Sequence, residues 1–203
     1  YVDGDVDEFI VLYTQLNADE ETDGQYEYFA YAVSRKAVLD FKNKFEAMGV
    51  TPFFIEPKDV TLASSLDRCF PDDEHYLAAI EIDHGFARFI IIGQRQFVFT
   101  RKMPGVEFEE YELDPENYRQ KLAIELQKSI DTFQVNFQMM PIYSMHLCGA
   151  ISVVDGITEY LQTNLGIPCS FLNPAKCLGN TEKFRDLRPE LFAEAVSLAF
   201  IQQ

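Results

Sequence analysis

Three apolar runs follow one another with almost nothing between them: Leu77 to Asp83, Phe86 to Ile92 and Phe97 to Arg101. Their Ile, Val and Phe content suits strands. Gly85 and the Gly93-Gln94 pair provide the turns. Consecutive strands joined by such short connections form an antiparallel meander. A chain containing one has a sheet at its centre, and the remaining segments must cover it.

Those segments read mostly as helices. The spacing of Leu122, Leu126, Ile130, Phe133 and Phe137 predicts a helix over 115–138, opened by an Asp114 cap and Pro115 at its first position. Val60 to Leu66, Val154 to Leu165 and Glu190 to Ile201 read as further helices, and Tyr143 to Leu147 and Pro168 to Leu172 as strands. Pro71 to Glu74 reads as a polar turn and Glu107 to Glu112 as an exposed acidic connection. The first part has its own pattern. Phe9 to Tyr13 and Tyr26 to Val33 read as strands flanking an acidic loop, Ala18 to Gly24. A helix follows with Ser34 as cap, Val38, Phe41, Phe45 and Met48 on its apolar face and Gly49 at its end, then a strand at Phe53 to Ile55. The sequence thus predicts an α/β chain with a small β-β-α-β part over residues 1–57 and a larger α/β part over 58–203, the border falling between Glu56 and Leu62.

With 203 residues, 47% of them hydrophobic, the chain can bury a sizeable core. Its first residue is Tyr1, which fits a piece of a longer protein. The formal net charge of −16 opposes nucleic-acid binding and direct adsorption to an anionic membrane surface. No stretch reaches the length of a membrane-spanning helix, and no signal peptide is seen. Cys69, Cys148, Cys169 and Cys177 form no C-x-x-C pattern, and the expectation is reduced thiols in an intracellular protein.

Three places could carry chemistry. Asp83 ends an apolar strand beside Gly85; it can face a phosphate or a metal-bound water, or simply satisfy the turn's own donors. Glu125 and Lys128 stand three residues apart on the long helix, off the Leu126/Ile130 stripe, as a functional pair or a solvated ion pair. His146-Leu-Cys-Gly149 ends a strand, and Gly149 permits close approach of a ligand to the backbone, or a tight connection. His146 and Cys148 lack a third metal ligand at sensible spacing, so no metal site is expected. No Walker, G-x-S-x-G or H-E-x-x-H pattern occurs.

The order of these pieces resembles a known family. Ala78-Ala-Ile-Glu-Ile-Asp-His-Gly85, with Phe99-Thr-Arg-Lys-Met-Pro-Gly105 after it, resembles the second phosphate hairpin of the actin-like (RNase H-like) superfamily as found in PilM and FtsA proteins. Leu122-Ala-Ile-Glu-Leu-Gln-Lys-Ser-Ile-Asp131 is similar to the helix before the nucleoside pocket, and especially to PilM relatives of the MSHA (mannose-sensitive haemagglutinin) pilus system. Met145-His-Leu-Cys-Gly-Ala150, Gly156 to Leu161 and Leu165 to Pro168 are similar to the adenosine-loop strand, its helix and the next strand. Tyr28 to Pro57 resembles the small subdomain that PilM and FtsA carry.

The resemblance implies an actin-like ATPase fold lacking its first phosphate loop. It implies ATP with Mg as the cofactor, with Asp83 and Gly85 at the phosphates and Glu125, Lys128 and Gly149 at the nucleoside. Departures bear on activity: His84 and Phe86-Ala87 alter the phosphate hairpin, and Cys148-Gly149-Ala150 stands where Gly-Gly is usual. The implied function is therefore a scaffold with degenerate nucleotide binding, in a type IV pilus or type II secretion assembly machine. Its partner would be the cytoplasmic tail of a PilN-like inner-membrane protein, and membrane association would be indirect. The alternatives are an active ATPase, in which Asp83 orients a metal-bound water, and an oligomerisation module of the filament-forming kind.

Overall fold

The chain divides between Pro57 and Lys58 into two units, Tyr1–Pro57 and Lys58–Gln203. The computed structural model describes residues 5–16, 27–71, 75–93, 96–137, 140–177 and 188–200. The expected Ala18 to Gly24 loop, Gln94 and residues 72–74 of the expected polar turn lie outside them.

In the first unit, β1 (Phe9–Leu16) and β2 (Glu27–Ser34) pair antiparallel, from Phe9 opposite Ser34 to Leu16 opposite Glu27. α1 (Arg35–Ala47) starts where β2 ends, with the Ser34 hydroxyl accepting from the Ala37 N–H at 3.4 Å. The Arg35 guanidinium donates to the Asp7 and Phe9 carbonyls, tying the helix start to the open end of the ladder. Its last turn closes as expected, Gly49 N–H donating to Glu46 and Val50 N–H to Phe45. None of the described residues of this unit is buried, and Phe41 and Met48 of the anticipated apolar face are 49% and 66% exposed. The strand expected at Phe53 to Ile55 is absent, and Phe53 is 90% exposed. Aromatic and β-branched residues favour extended backbone, but a strand exists only if a ladder receives it. Pro52 removes one donor there, and no neighbouring strand supplies partners among the described residues.

In the second unit, α2 (Lys58–Cys69) precedes the meander β3 (Tyr76–Asp83), β4 (Phe86–Gly93) and β5 (Gln96–Lys102). α3 (Phe108–Leu113) and α4 (Pro115–Asn136) lead to β6 (Ile142–Cys148), then come α5 (Ile157–Leu165), β7 (Cys169–Phe171), α6 (Pro174–Cys177) and α7 (Ala193–Phe200). The sheet order is β5-β4-β3-β6-β7, antiparallel within the meander and parallel from β3 through β6 to β7. Central β3 is covered on both faces, which explains its nearly unbroken apolar run. On one face Leu77 and Ala79 meet Leu62 and Leu66 of α2 and Ala193 of α7. On the other, α4 buries Leu122, Leu126, Ile130 and Phe133, and the Phe133 ring stands 5.7 Å from Phe99 and 5.3 Å from Tyr76. No described helix is long and apolar enough to cross a membrane.

Several boundaries differ from expectation. Within Glu107 to Glu112, the acidic stretch forms α3 instead of an exposed connection, because Phe108 and Tyr111 give it an inward side; Phe108 is buried and the Tyr111 ring packs on Tyr118. α5 begins at Ile157, after a 3-10 turn at Ala150–Val153, and α7 begins at Ala193. The cysteines divide: Cys148 and Cys169 are free, whereas Cys69 and Cys177 form a disulfide joining the end of α2 to α6. The expectation of reduced thiols fails for that pair. Their separation of 108 residues hides the pairing, which only the packing of α6 on α2 creates.

Candidate functional site

Parallel pairing of β3 with β6 sets Glu81 opposite Cys148, so both strands end at the same side of the sheet. Asp83 and Gly149 therefore meet. A Cβ placed on Gly149 would stand 3.2 Å from Asp83 Oδ2 and 2.6 Å from the Ile82 carbonyl oxygen. Gly149 has φ 85° and ψ −162°, a region essentially confined to glycine. Gly85, with φ 77°, makes the turn between β3 and β4.

The backbone donors at this meeting point are engaged by the chain itself. The Gly85 N–H donates to Glu109 Oε2 of α3 at 3.0 Å, and that hydrogen bond holds the Glu109 carboxyl below the usual range. The Gly149 N–H donates to the Glu190 carbonyl at 2.9 Å. His84 Nε2 lies 3.5 Å from Glu112 Oε1. An anionic ligand could reach the Gly85 N–H only by displacing the Glu109 carboxylate, so the donor set as arranged fits a nucleotide phosphate poorly. Among the described residues, no group of three His, Cys, Asp or Glu could hold a metal ion.

Behind Asp83, on the α2 side of the sheet, lies a buried charge cluster. Arg88 of β4 pairs with Asp59 of α2, and its Nε stands 3.3 Å from Glu81 Oε2. Thr100 of β5 donates to Asp59 at 2.9 Å. Lys58 pairs with Glu194 of α7 at 2.6 Å and lies over the Phe86 ring. Glu81 is only 2% exposed, and burial, followed by the Glu194 hydrogen bond and charge, pushes its carboxyl up to about 9. Glu81 Oε2 and Glu194 Oε1 are buried oxygens that accept no hydrogen bond from the described residues. A proton held by the Glu81 carboxyl and donated to Glu194 accounts for the pair. Burial also raises the Cys148 thiol well above its usual range, keeping it unreactive.

The native state thus keeps a proton that the unfolded chain releases near the ordinary carboxylate value. This contribution is complete below that value and is lost as pH rises toward about 9. Between pH 6 and 9 the protein is expected to lose on the order of 1 kcal/mol of stability per pH unit through this group. Glu81→Gln keeps the shape and should flatten that slope in urea melts run across the range. Parallel slopes in the two proteins would show that Glu81 is ionised in the native state.

Glu125 and Lys128 are elsewhere. Arg101 lies opposite Phe89, which lies opposite Ile80, so it faces α4, while Asp83 shares the parity of Glu81 and faces α2. Arg101 donates to Glu125 Oε1 at 2.7 Å and to Ser129 at 2.6 Å, and Lys128 reaches Glu125 Oε2 at 3.1 Å. Burial raises the Glu125 carboxyl, but the Arg101 and Lys128 hydrogen bonds outweigh it and hold it below the usual range. The solvated-pair alternative fails for Glu125, which is buried, and applies to Lys128 alone, which is exposed. The structure therefore joins Asp83, Gly85 and Gly149 and leaves Glu125 and Lys128 on the opposite face. His146 is held by the Ser144 and Ser170 hydroxyls against the Phe70 ring. Glu81 was detectable as an acid inside an apolar strand; nothing in the acidic run 107–112 distinguished Glu109.

No family model and no curated protein matches this chain. Solved structures do. A chain of the PilM–PilN type IV pilus biogenesis complex superposes with a TM-score of 0.72 at 17% identity, covering 96% of this chain and 66% of that one. MreB 5 of Spiroplasma citri, bound to AMPPNP, gives 0.51 at 14% identity, covering 76% of this chain and 65% of that one. The chain thus spans just under two thirds of the length of either relative. At these identities what is shared is the fold, and it is the actin-like ATPase fold.

Proposed function

We propose that the chain is a partner-binding scaffold of a type IV pilus or type II secretion assembly machine, of the MSHA kind, on the cytoplasmic side of the inner membrane. The observation that carries this reading is the likeness to a PilM–PilN complex chain over 96% of the sequence. Residues 1–57 would be the small PilM-type subdomain, and 58–203 the actin-like domain bearing the second phosphate hairpin and adenosine loop. The partner would be the extended cytoplasmic tail of a PilN-like membrane protein.

The first unit suits such a partner. Its sheet contains only β1 and β2 among the described residues, so each strand has an outer edge open to strand addition. Tyr13 and Tyr28 pack edge to face and remain 72% and 51% exposed, offering rigid apolar anchors. Fluorescence anisotropy with a labelled tail peptide tests this. Tyr28→Ala and Phe41→Ala are each expected to weaken binding about tenfold, the loss of about 1.4 kcal/mol of apolar contact. Failure of the peptide to bind the parent protein would end the scaffold reading.

In this reading Asp83, Gly85 and Gly149 retain a weak affinity for ATP with Mg. Glu125 and Lys128 are spent on Arg101 and each other, and no hydrolytic role is assigned. The ATPase alternative rests on the meeting of Asp83 with Gly149. Micromolar ATP binding abolished by Asp83→Ala would favour it.

A further inference from the structure

The second phosphate hairpin is filled from within the chain, by a residue on a firmly anchored element. α3 is pinned by buried Phe108, whose ring lies 5.1 Å from that of His84, and by Tyr111 packed on Tyr118. Tyr118 in turn donates to the Val106 carbonyl at 2.9 Å. The acids around it have separate tasks. Glu107 accepts from the Gly105 N–H at 2.9 Å, Glu110 lies 3.6 Å from Lys121, and Glu112 lies beside His84. Glu109 accepts from Gly85. A carboxylate oxygen and a phosphate oxygen are alike as acceptors for a turn N–H.

We infer that Glu109 is a built-in competitor for phosphate, its carboxylate taking the Gly85 N–H that an anionic ligand would need. The inference rests on the residual nucleotide site proposed above and explains why that site is weak. A phosphate reaching Gly85 must first displace Glu109. It would then lie beside two carboxylates of its own sign, those of Glu109 and Asp83. The low Glu109 carboxyl agrees with a charged occupant at neutral pH. The Gly149 N–H is closed independently by the Glu190 carbonyl, so both arms of the site are self-occupied.

The test follows the Gly85 amide by NMR in glycine-labelled protein, titrated with Mg-ATP and separately with pyrophosphate. Glu109→Ala should move the Gly85 resonance before any ligand is added and then saturate at ligand concentrations at least tenfold below the parent's. Glu109→Gln keeps an acceptor oxygen for Gly85 and should show a smaller gain, from the lost charge alone. Glu112→Gln removes the same charge without freeing Gly85 and is expected to titrate like the parent. Equal titration of the parent and the Glu109 variants overturns the competition and leaves nucleotide binding standing. A Gly85 resonance that neither ligand moves in any variant overturns both the competition and the residual nucleotide site. Neither result touches peptide binding by the first unit.

Discussion

Gly149→Ala is expected to destabilise the protein by about 3 kcal/mol, a drop in Tm of roughly 10 °C. Two costs combine. The backbone there is in a region that a side chain disfavours, and the new methyl would lie 2.6 Å from the Ile82 carbonyl oxygen. That oxygen belongs to the central strand, so relief requires β3 and β6 to separate where Asp83 and Gly149 meet. Gly85→Ala is the control. Gly85 also has positive φ, but nothing lies within 4 Å of an added Cβ. It should cost only about 1 kcal/mol. Thermal melts of the two variants compare the terms directly. Equal losses would mean that the close approach of Gly149 to Ile82 does not exist in solution.

Opening the Cys69–Cys177 bond should have a comparable effect. The bond spans 108 residues, so its removal returns a large loop entropy to the unfolded chain. The expected loss is about 4 kcal/mol, with Tm again lower by roughly 10 °C. Cys69→Ser should reproduce the effect of a reducing agent, and the two together should not add. Cys148 and Cys169 are free, so replacing Cys169 by Ser should leave the response to reductant intact. A Tm insensitive to reductant in the parent protein would show that the pair carries no bond. Thiols in a reducing compartment are ordinarily unpaired. The same measurement therefore gives the stability the protein would have in such a compartment, with the bond open.

Much of the fold was legible because burial leaves a periodic trace. The apolar runs of β3 and β4 marked strands covered on both sides, that of β5 marked the half-buried edge strand beside them, and the Leu122–Phe133 spacing marked the inner face of α4. Ser34 and Asp114 announced helix starts because a side-chain acceptor there satisfies an orphan N–H. Propensity misled at Phe53 to Ile55, where none of the described strands offers a partner. Charge misled at α3, where two inward aromatics outweighed three glutamates. Of the candidate site, Asp83 and Gly149 were singled out separately, and the parallel register of β3 and β6 brings them together.

By itself, then, the sequence determined a sheet built on the Asp83-His84-Gly85 hairpin, its covering helices and a separate first unit, since strand and helix periodicities are local properties. Tertiary structure alone decided who occupies that hairpin. Glu109, 24 residues from Gly85, donates no periodic signal, and neither does Glu190 opposite Gly149 or Cys177 opposite Cys69. Hydrogen bonds and disulfides of this kind depend on where separate elements end in space. That position is set by the packing of the whole unit and by no single stretch of chain.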